Sequence, residues 1–258
     1  MSTLDASLER VSLALAGARR VAVLTGAGMS AASGLPTYRG IGGLYNDMAI
    51  EEGLPIEEIL HADTFARDPA LTWKYIAQIE EACRGGLPNA GHLLLAGWDA
   101  RFDLHIVTQN VDGLHRAAGS RQVIELHGTL AELMCCACAR EYMLAEIELE
   151  RLPPRCAACD GLVRPNVVLF GEMLPSAALE RYERELARGF DVVLAIGTTA
   201  GFPYIHMPVV EARRRGALTV EINPDETILS DAVDVRLALP AVEALQKIAA
   251  RMPQSRGA

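Results

Sequence analysis

Four short apolar runs punctuate the chain without a break: Val21–Thr25, Leu104–Thr108, Val192–Ile196 and Leu218–Ile222. They are rich in β-branched residues, and the first three do not alternate apolar with polar positions. That is the pattern of parallel strands covered on both faces. Between them, apolar residues recur at helical spacing over Leu8–Ala18, Pro69–Cys83, His92–Trp98, Ala177–Arg188 and Pro208–Arg215. Strands alternating with helices predict an α/β fold with a doubly wound parallel sheet, whose ligands bind at the carboxyl ends of the strands.

Two stretches break the alternation. Residues 41–86 follow a glycine-rich loop and read as helices without a strand, and residues 135–163 carry cysteines and prolines with little periodicity. Both are expected to form a smaller lobe over the sheet. The division that follows gives 1–40, 87–134 and 164–258 to the large lobe, 41–86 to a helical module and 135–163 to a cysteine module. No internal repeat or low-complexity tract interrupts this plan, and the tail Met252–Ala258 is expected to fray.

Composition narrows the function classes. The chain has 258 residues, half of them hydrophobic, and a formal net charge of −9. That charge argues against nucleic acid, whose phosphates need a basic stripe. The one dense basic run, Arg213–Arg215 before Gly216, suits the cation-favouring end of a helix and its glycine cap. There is no apolar run of membrane-spanning length, and MSTLDASLER lacks the apolar core of a secretory signal. A cytoplasmic protein with no membrane partner is expected.

Candidate chemistry clusters after the strands. The first runs directly into Gly26-Ala27-Gly28-Met29-Ser30-Ala-Ala-Ser-Gly34, small residues that let backbone N–H groups approach a phosphate at the start of a helix. The spacing departs from the dehydrogenase fingerprint, because Ala31 stands three residues after Gly28. A tight strand-to-helix turn explains the loop equally well. Pro36-Thr-Tyr38-Arg39-Gly40 and Gly42-Gly43-Leu44-Tyr45 follow, where an arginine could pair with a pyrophosphate oxygen and a flexible loop could close on a ligand. The second apolar run ends in Thr108-Gln109-Asn110-Val111-Asp112-Gly113-Leu114-His115. Its amide and carboxylate suit ribose and carboxamide groups, or a simple Asx turn. Glu125-Leu126-His127-Gly128 offers a histidine able to act as a general base near neutral pH, against the commoner structural histidine. That structural reading is given to His61, His92, His105, His115 and His206.

The cysteines give the sharpest pattern. Cys135-x2-Cys138 and Cys156-x2-Cys159, seventeen residues apart, match a closed four-thiolate zinc site that holds structure and takes no part in chemistry. Cys136 falls outside that register, Cys83 closes a helix and reads as core, and a redox pair is the rival reading.

Taken together, these segments resemble the sirtuins over roughly residues 20–240. The resemblance rests on GAGMSAASGLPTYRG, PNAGH (Pro88–His92), TQNVDGLH, HGT, the paired CxxC knuckles, GLVRPNVVLFGE, IGTT and EINP. It implies a Rossmann-like lobe and a smaller zinc-ribbon-plus-helical lobe, with NAD and an acyl-lysine protein or peptide entering the cleft from opposite sides. By matching position, Gly26, Ala27, Gly28, Tyr38 and Arg39 would line the dinucleotide. Gln109, Asn110 and Asp112 would hold the nicotinamide ribose and carboxamide. Gly197, Thr198, Thr199 and Asn223 would contact the adenosine half, and Val168, Leu169, Phe170 and Gly171 would edge the peptide groove. His127, Asn110 and Asp112 would be the catalytic group, with neutral His127 taking a proton from a ribose hydroxyl. The products would be nicotinamide, free lysine and O-acyl-ADP-ribose.

The sequence departs from the family pattern at Tyr38 for Phe, Met29 for Ile, Thr199 for Ser, and Ala200-Gly201-Phe202 for a Leu- and Val-bearing segment. Members that take succinyl or malonyl chains carry Tyr-x-x-Arg on the helix over the acyl tunnel, where alignment places Ile76 and Ile79 here. An apolar tunnel would leave a carboxylate unpaired, so neutral acyl groups are expected. The rivals are an ADP-ribosyltransferase or NAD glycohydrolase on the same site, and a non-catalytic zinc-ribbon binding module. A monomer is expected.

Overall fold

The computed structural model describes residues 2–35, 53–149 and 151–253. Its larger sheet is six-stranded and parallel throughout, in the order β3-β2-β1-β7-β8-β9. The strands are β1 (Arg20–Thr25), β2 (Asp103–Thr108), β3 (Val123–Glu125), β7 (Val192–Ile196), β8 (Leu218–Ile222) and β9 (Val235–Leu237). The order reverses between β1 and β7, the crevice where open α/β sheets bind ligands.

Successive side chains of a strand point to opposite faces, so each buried run feeds two cores. Val21 and Val23 join a core with helices α1 (Thr3–Gly17), α5 (Ala90–Trp98) and α9 (Ala241–Arg251). Ala22 and Leu24 join another with α7 (Ser176–Arg188) and α8 (Pro203–Arg214). Cover on both faces is why β1 carries no polar alternation.

The smaller lobe has its own core. Helices α2 (Ile56–Ile59), α3 (Ala62–Arg67) and α4 (Pro69–Cys83) pack on an antiparallel sheet ordered β5-β4-β6. Its strands are β4 (Gly128–Cys135), β5 (Glu141–Met143) and β6 (Val163–Val167). The Trp73 indole N–H donates to Val163 O at 2.9 Å, tying helix to sheet. Residues 128–134 and 164–167, expected in the large lobe, pair instead into this second sheet. His127 therefore lies between β3 of one sheet and β4 of the other.

Three further expectations change. The small-residue loop after β1 forms two 3-10 turns, Ala27–Met29 and Ala31–Ser33, where a helix start was expected. The helix expected at Pro208 begins at Pro203 and carries Pro208 inside it. Met252, expected to fray, packs into the core with α9. The expected strands and α4 lie where the pattern put them, within a residue at each end. Among the described residues, no helix is long and apolar enough to cross a membrane.

Candidate active site

Every segment singled out after a strand emerges at the same edge of the parallel sheet. The Gly26 loop follows β1, Gln109–Asp112 follows β2, His127 follows β3, Gly197–Thr198 follows β7 and Asn223 follows β8. Parallel strands put all five carboxyl ends on one side, so residues distant in sequence share one crevice.

The loop after β1 and the turn after β7 clasp each other across the point where strand order reverses. Gly28 N–H donates to Gly197 O at 2.9 Å, and Gly26 N–H donates to Ile196 O at 3.1 Å. Asn89, the N-cap of α5, holds the loop from outside: its side-chain amide donates to Met29 O at 2.9 Å and to Ser33 Oγ at 3.1 Å. The PNAGH segment thus positions the loop as well as starting a helix.

Asn110 is buried beneath this loop. Its side-chain N–H groups donate to Gly26 O at 3.0 Å and Ser30 Oγ at 3.2 Å. Its Oδ1 is buried and has no hydrogen-bond partner. A buried amide oxygen left unpaired is costly, which fits an acceptor reserved for a ligand donor such as a carboxamide. Asp112 accepts from Ser30 Oγ at 2.6 Å and from Leu114 N–H at 2.9 Å. Ser30 was quoted in the loop motif without a role, yet it links Asn110 to Asp112. The unpaired oxygen and the close-set glycine backbones suit a dinucleotide.

Behind Asp112 lies a dry layer of histidine. His92 and His115 are both buried and meet edge to face at 4.7 Å between ring centroids. His115 Nε2 pairs with Thr25 Oγ1 at 3.0 Å. Burial pushes the His115 pKa down to about 3, with His92 adding to the effect. Burial also lowers His92, against the pull of Asp112. Both rings are therefore neutral supports. Cys83, expected in the core, is half-buried beside the small-lobe cluster; burial first, then Asp112 and Glu80, raises its thiol pKa to about 11.

His127 is fixed at both ring nitrogens. Nδ1 lies 3.0 Å from Gln109 O, a carbonyl that only accepts, so Nδ1 carries the proton. Nε2 is then the basic nitrogen, and it lies 2.7 Å from the Tyr204 hydroxyl. Burial lowers the His127 pKa, opposed by the Gln109 bond, which favours the neutral ring a general base requires. Gln109 completes the brace by donating from Nε2 to Thr198 Oγ1 at 2.8 Å. Sequence reasoning gave Tyr204 no role; the nearest signal was the atypical Ala200-Gly201-Phe202 just before it.

Of the remaining expected residues, Asn223 donates to Thr198 O at 3.2 Å, while Thr199 is exposed at the rim. Tyr38 and Arg39 lie outside the described residues. Phe170 spends both backbone groups on the helical module, donating to Leu60 O and accepting from Ala62 N–H. Val168 N–H donates to His127 O at 3.0 Å. Ile76 and Ile79 are buried in the same apolar cluster as Leu169.

The four expected cysteines converge. Their sulfurs all lie within 4.8 Å of one another, with Cys135–Cys159 at 3.5 Å and Cys138–Cys156 at 3.7 Å. Tetrahedral coordination with bonds of about 2.3 Å would set sulfurs about 3.8 Å apart, so the set fits one zinc ion. Backbone N–H groups of Ala137 and Ala158 point at Cys135 and Cys156, as outer-shell donors to thiolates do. Cys136 is exposed and outside the cluster.

A profile of the Sir2 family matches residues 26–202, spanning the loop, the His127 turn and the cysteine knuckles. The chain belongs to the Sir2 family. A Pseudomonas aeruginosa protein named "NAD-dependent protein deacylase 2" is 50% identical over 242 residues, covering 92% of this chain and 94% of that protein. A Sir2 homologue solved with ADP-ribose superposes with a TM-score of 0.85 at 37% identity, covering 94% of this chain and 95% of that one. A structure described as Sir2, p53 peptide and NAD+ gives a TM-score of 0.79 at 30% identity, covering 91% and 94%. The Sir2 fold thus extends over nearly the whole of this chain.

Proposed function

We propose that this chain is an NAD-dependent protein lysine deacylase. The observation that carries the reading is His127: its Nδ1 proton is committed to Gln109 O, leaving Nε2 as a base at the shared carboxyl edge. Kinship to curated deacylases at up to 51% identity supports the same activity.

NAD supplies the ribosyl carbon that takes the acyl oxygen and the nicotinamide that departs. The backbone of Gly26, Ala27 and Gly28 binds the dinucleotide, with Tyr38 and Arg39 assigned to the same task by matching position. Asn110 Oδ1 accepts from the carboxamide, and Asp112, held by Ser30 and Leu114, fixes the direction of that group. Gly197, Thr198, Thr199 and Asn223 hold the adenosine half. Neutral His127 then removes a proton from a ribose hydroxyl at Nε2 and holds it on the imidazole.

The acylated chain lies against Val168, Leu169, Phe170 and Gly171. Since Phe170 already bonds the helical module, Val168 O and the Gly171 backbone are left to meet substrate. Ile76 and Ile79 make the acyl end apolar, which suits acetyl and longer aliphatic groups. One zinc ion held by Cys135, Cys138, Cys156 and Cys159 stabilises the small lobe.

Mass spectrometry after incubation with NAD and an acetylated peptide tests the reading. Free lysine, nicotinamide and O-acyl-ADP-ribose in equal amounts are expected. Nicotinamide with the acyl-lysine untouched would instead mark a glycohydrolase or ADP-ribosyltransferase.

A further inference from the structure

The deacylase reading leaves the aromatic pair over the catalytic base unexplained. Ala200 adopts φ +51, a left-handed conformation disfavoured for a residue with a side chain, and is fully buried. The turn it makes brings Phe202 and Tyr204 over His127. Their rings stack at 5.2 Å with 8° between planes, and both meet the imidazole edge to face, at 5.8 and 6.0 Å. Tyr204 is also gripped from behind. Pro208 has no N–H to give to the carbonyl four residues earlier, and the Tyr182 hydroxyl donates to that Tyr204 O at 3.2 Å.

Because Nδ1 carries the imidazole proton, the 2.7 Å contact is a phenol O–H donated to the Nε2 lone pair. That lone pair is the one the ribose hydroxyl must reach. We propose that Tyr204 is a positioning residue for His127: its phenol caps Nε2 until the dinucleotide binds, and the incoming ribose hydroxyl takes its place. The proposal rests on His127 being the base.

Among the described residues, the titratable groups on the neighbouring elements are committed elsewhere. On the segment after β2, Asp112 is committed to Ser30 and Leu114, and His115 to Thr25. Upstream of His127, Glu125 pairs with Arg116. On the loop after β6, Glu172 pairs with Arg164. On α8, His206 Nδ1 is held by Ala200 O at 3.2 Å. Burial pushes the Tyr204 pKa up to about 12, so its hydroxyl keeps its proton wherever the enzyme works.

A cap of this kind favours the unprotonated Nε2, since a protonated ring would require the phenol to turn its own proton away. It also competes with substrate. Tyr204→Phe keeps the ring stack and removes only the hydroxyl. In 15N-labelled protein without substrates, the His127 titration midpoint should rise by roughly half to one pH unit, the size of one hydrogen bond. The acid limb of kcat/KM should move by the same amount, because it reports the free enzyme, while the limb of kcat stays in place. Above that limb, KM for NAD should fall roughly two- to tenfold, because a bond made only before binding has gone.

An unmoved His127 midpoint overturns the proposal. So does a kcat loss beyond about 100-fold with both limbs in place, which would make Tyr204 a proton relay. In the wild-type protein alone, Nε2 must appear as an unprotonated acceptor at neutral pH; a protonated Nε2 there ends the idea without any variant. If the midpoint shifts but no deacylation occurs, the cap stands and the deacylase reading falls. If deacylation occurs and the midpoint does not shift, only the cap falls.

Discussion

Gly28 and Gly197 are locked backbone to backbone across the reversal in strand order. Gly28 N–H donates to Gly197 O at 2.9 Å, while Gly197 itself sits at φ +57. A Cβ on Gly197 would lie 2.5 Å from Gly28 C and from Met29 N, atoms that cannot move aside without shifting the loop. The loop after β1 is therefore shaped by contact with a strand end that comes roughly 170 residues later.

Gly197→Ala tests this clasp. The unfavourable φ and the backbone clash together should cost about 3 kcal/mol of stability. Denaturant unfolding measures it, and NAD binding should weaken in parallel. A variant as stable as the parent would show that the clasp has room to give.

Stability should also fall with acid before any carboxylate titrates. The lowered pKa of His92, His115 and His127 means the unfolded chain takes up protons first. Stability contributed by the neutral rings is complete above about pH 6.5 and is lost as pH falls below it, for His115 down to about 3. His115, neutral in the fold down to about pH 3, adds a slope of about 1.4 kcal/mol per pH unit below 6.5. Urea unfolding between pH 7 and 5 should show it, and His115→Gln should flatten it. A flat profile in the parent would contradict the dry histidine layer.

The zinc assignment predicts one metal ion per chain by elemental analysis. Cys135→Ser and Cys156→Ser should lose the metal and loosen the small lobe, whereas Cys136→Ser should keep both. Metal loss in Cys136→Ser would overturn the chosen register.

Much of this was written in the sequence because burial leaves a pattern. Val192–Ile196 is covered on both faces and reads as an unbroken apolar run, and its bounds, like those of Leu218–Ile222, match the strand. The three-residue edge strands Val123–Glu125 and Val235–Leu237 are too short to leave any period. The site motifs after β1, β2, β3 and β7 were legible because a parallel sheet gathers its strand ends. Tyr204 was not, because 77 residues separate it from His127 and an apolar-looking helix start conceals its hydroxyl's partner. Pro208 misled in the same place: it looks like the first residue of a helix, yet the helix tolerates it because Tyr182 takes over the carbonyl it frees.

The proposed acyl site at Ile76 and Ile79, which are 3% and 6% exposed, predicts an acyl preference. A succinyl carboxylate there would be desolvated without a cation, so its kcat/KM should fall below that for acetyl by at least about 100-fold. Competing peptides that differ only in the acyl group measure this directly. A succinyl preference would sink the apolar assignment.

The account depends most on Nε2 of His127 removing a proton from the ribose hydroxyl. The decisive measurement is the deacylation rate of His127→Ala at saturating NAD and acetylated peptide, in protein whose zinc content and melting temperature match the parent. A general base contributes about 100- to 10,000-fold, so a loss of that order is predicted. Turnover within a factor of about ten of the parent would be far too small a loss for a general base and would place the chemistry elsewhere.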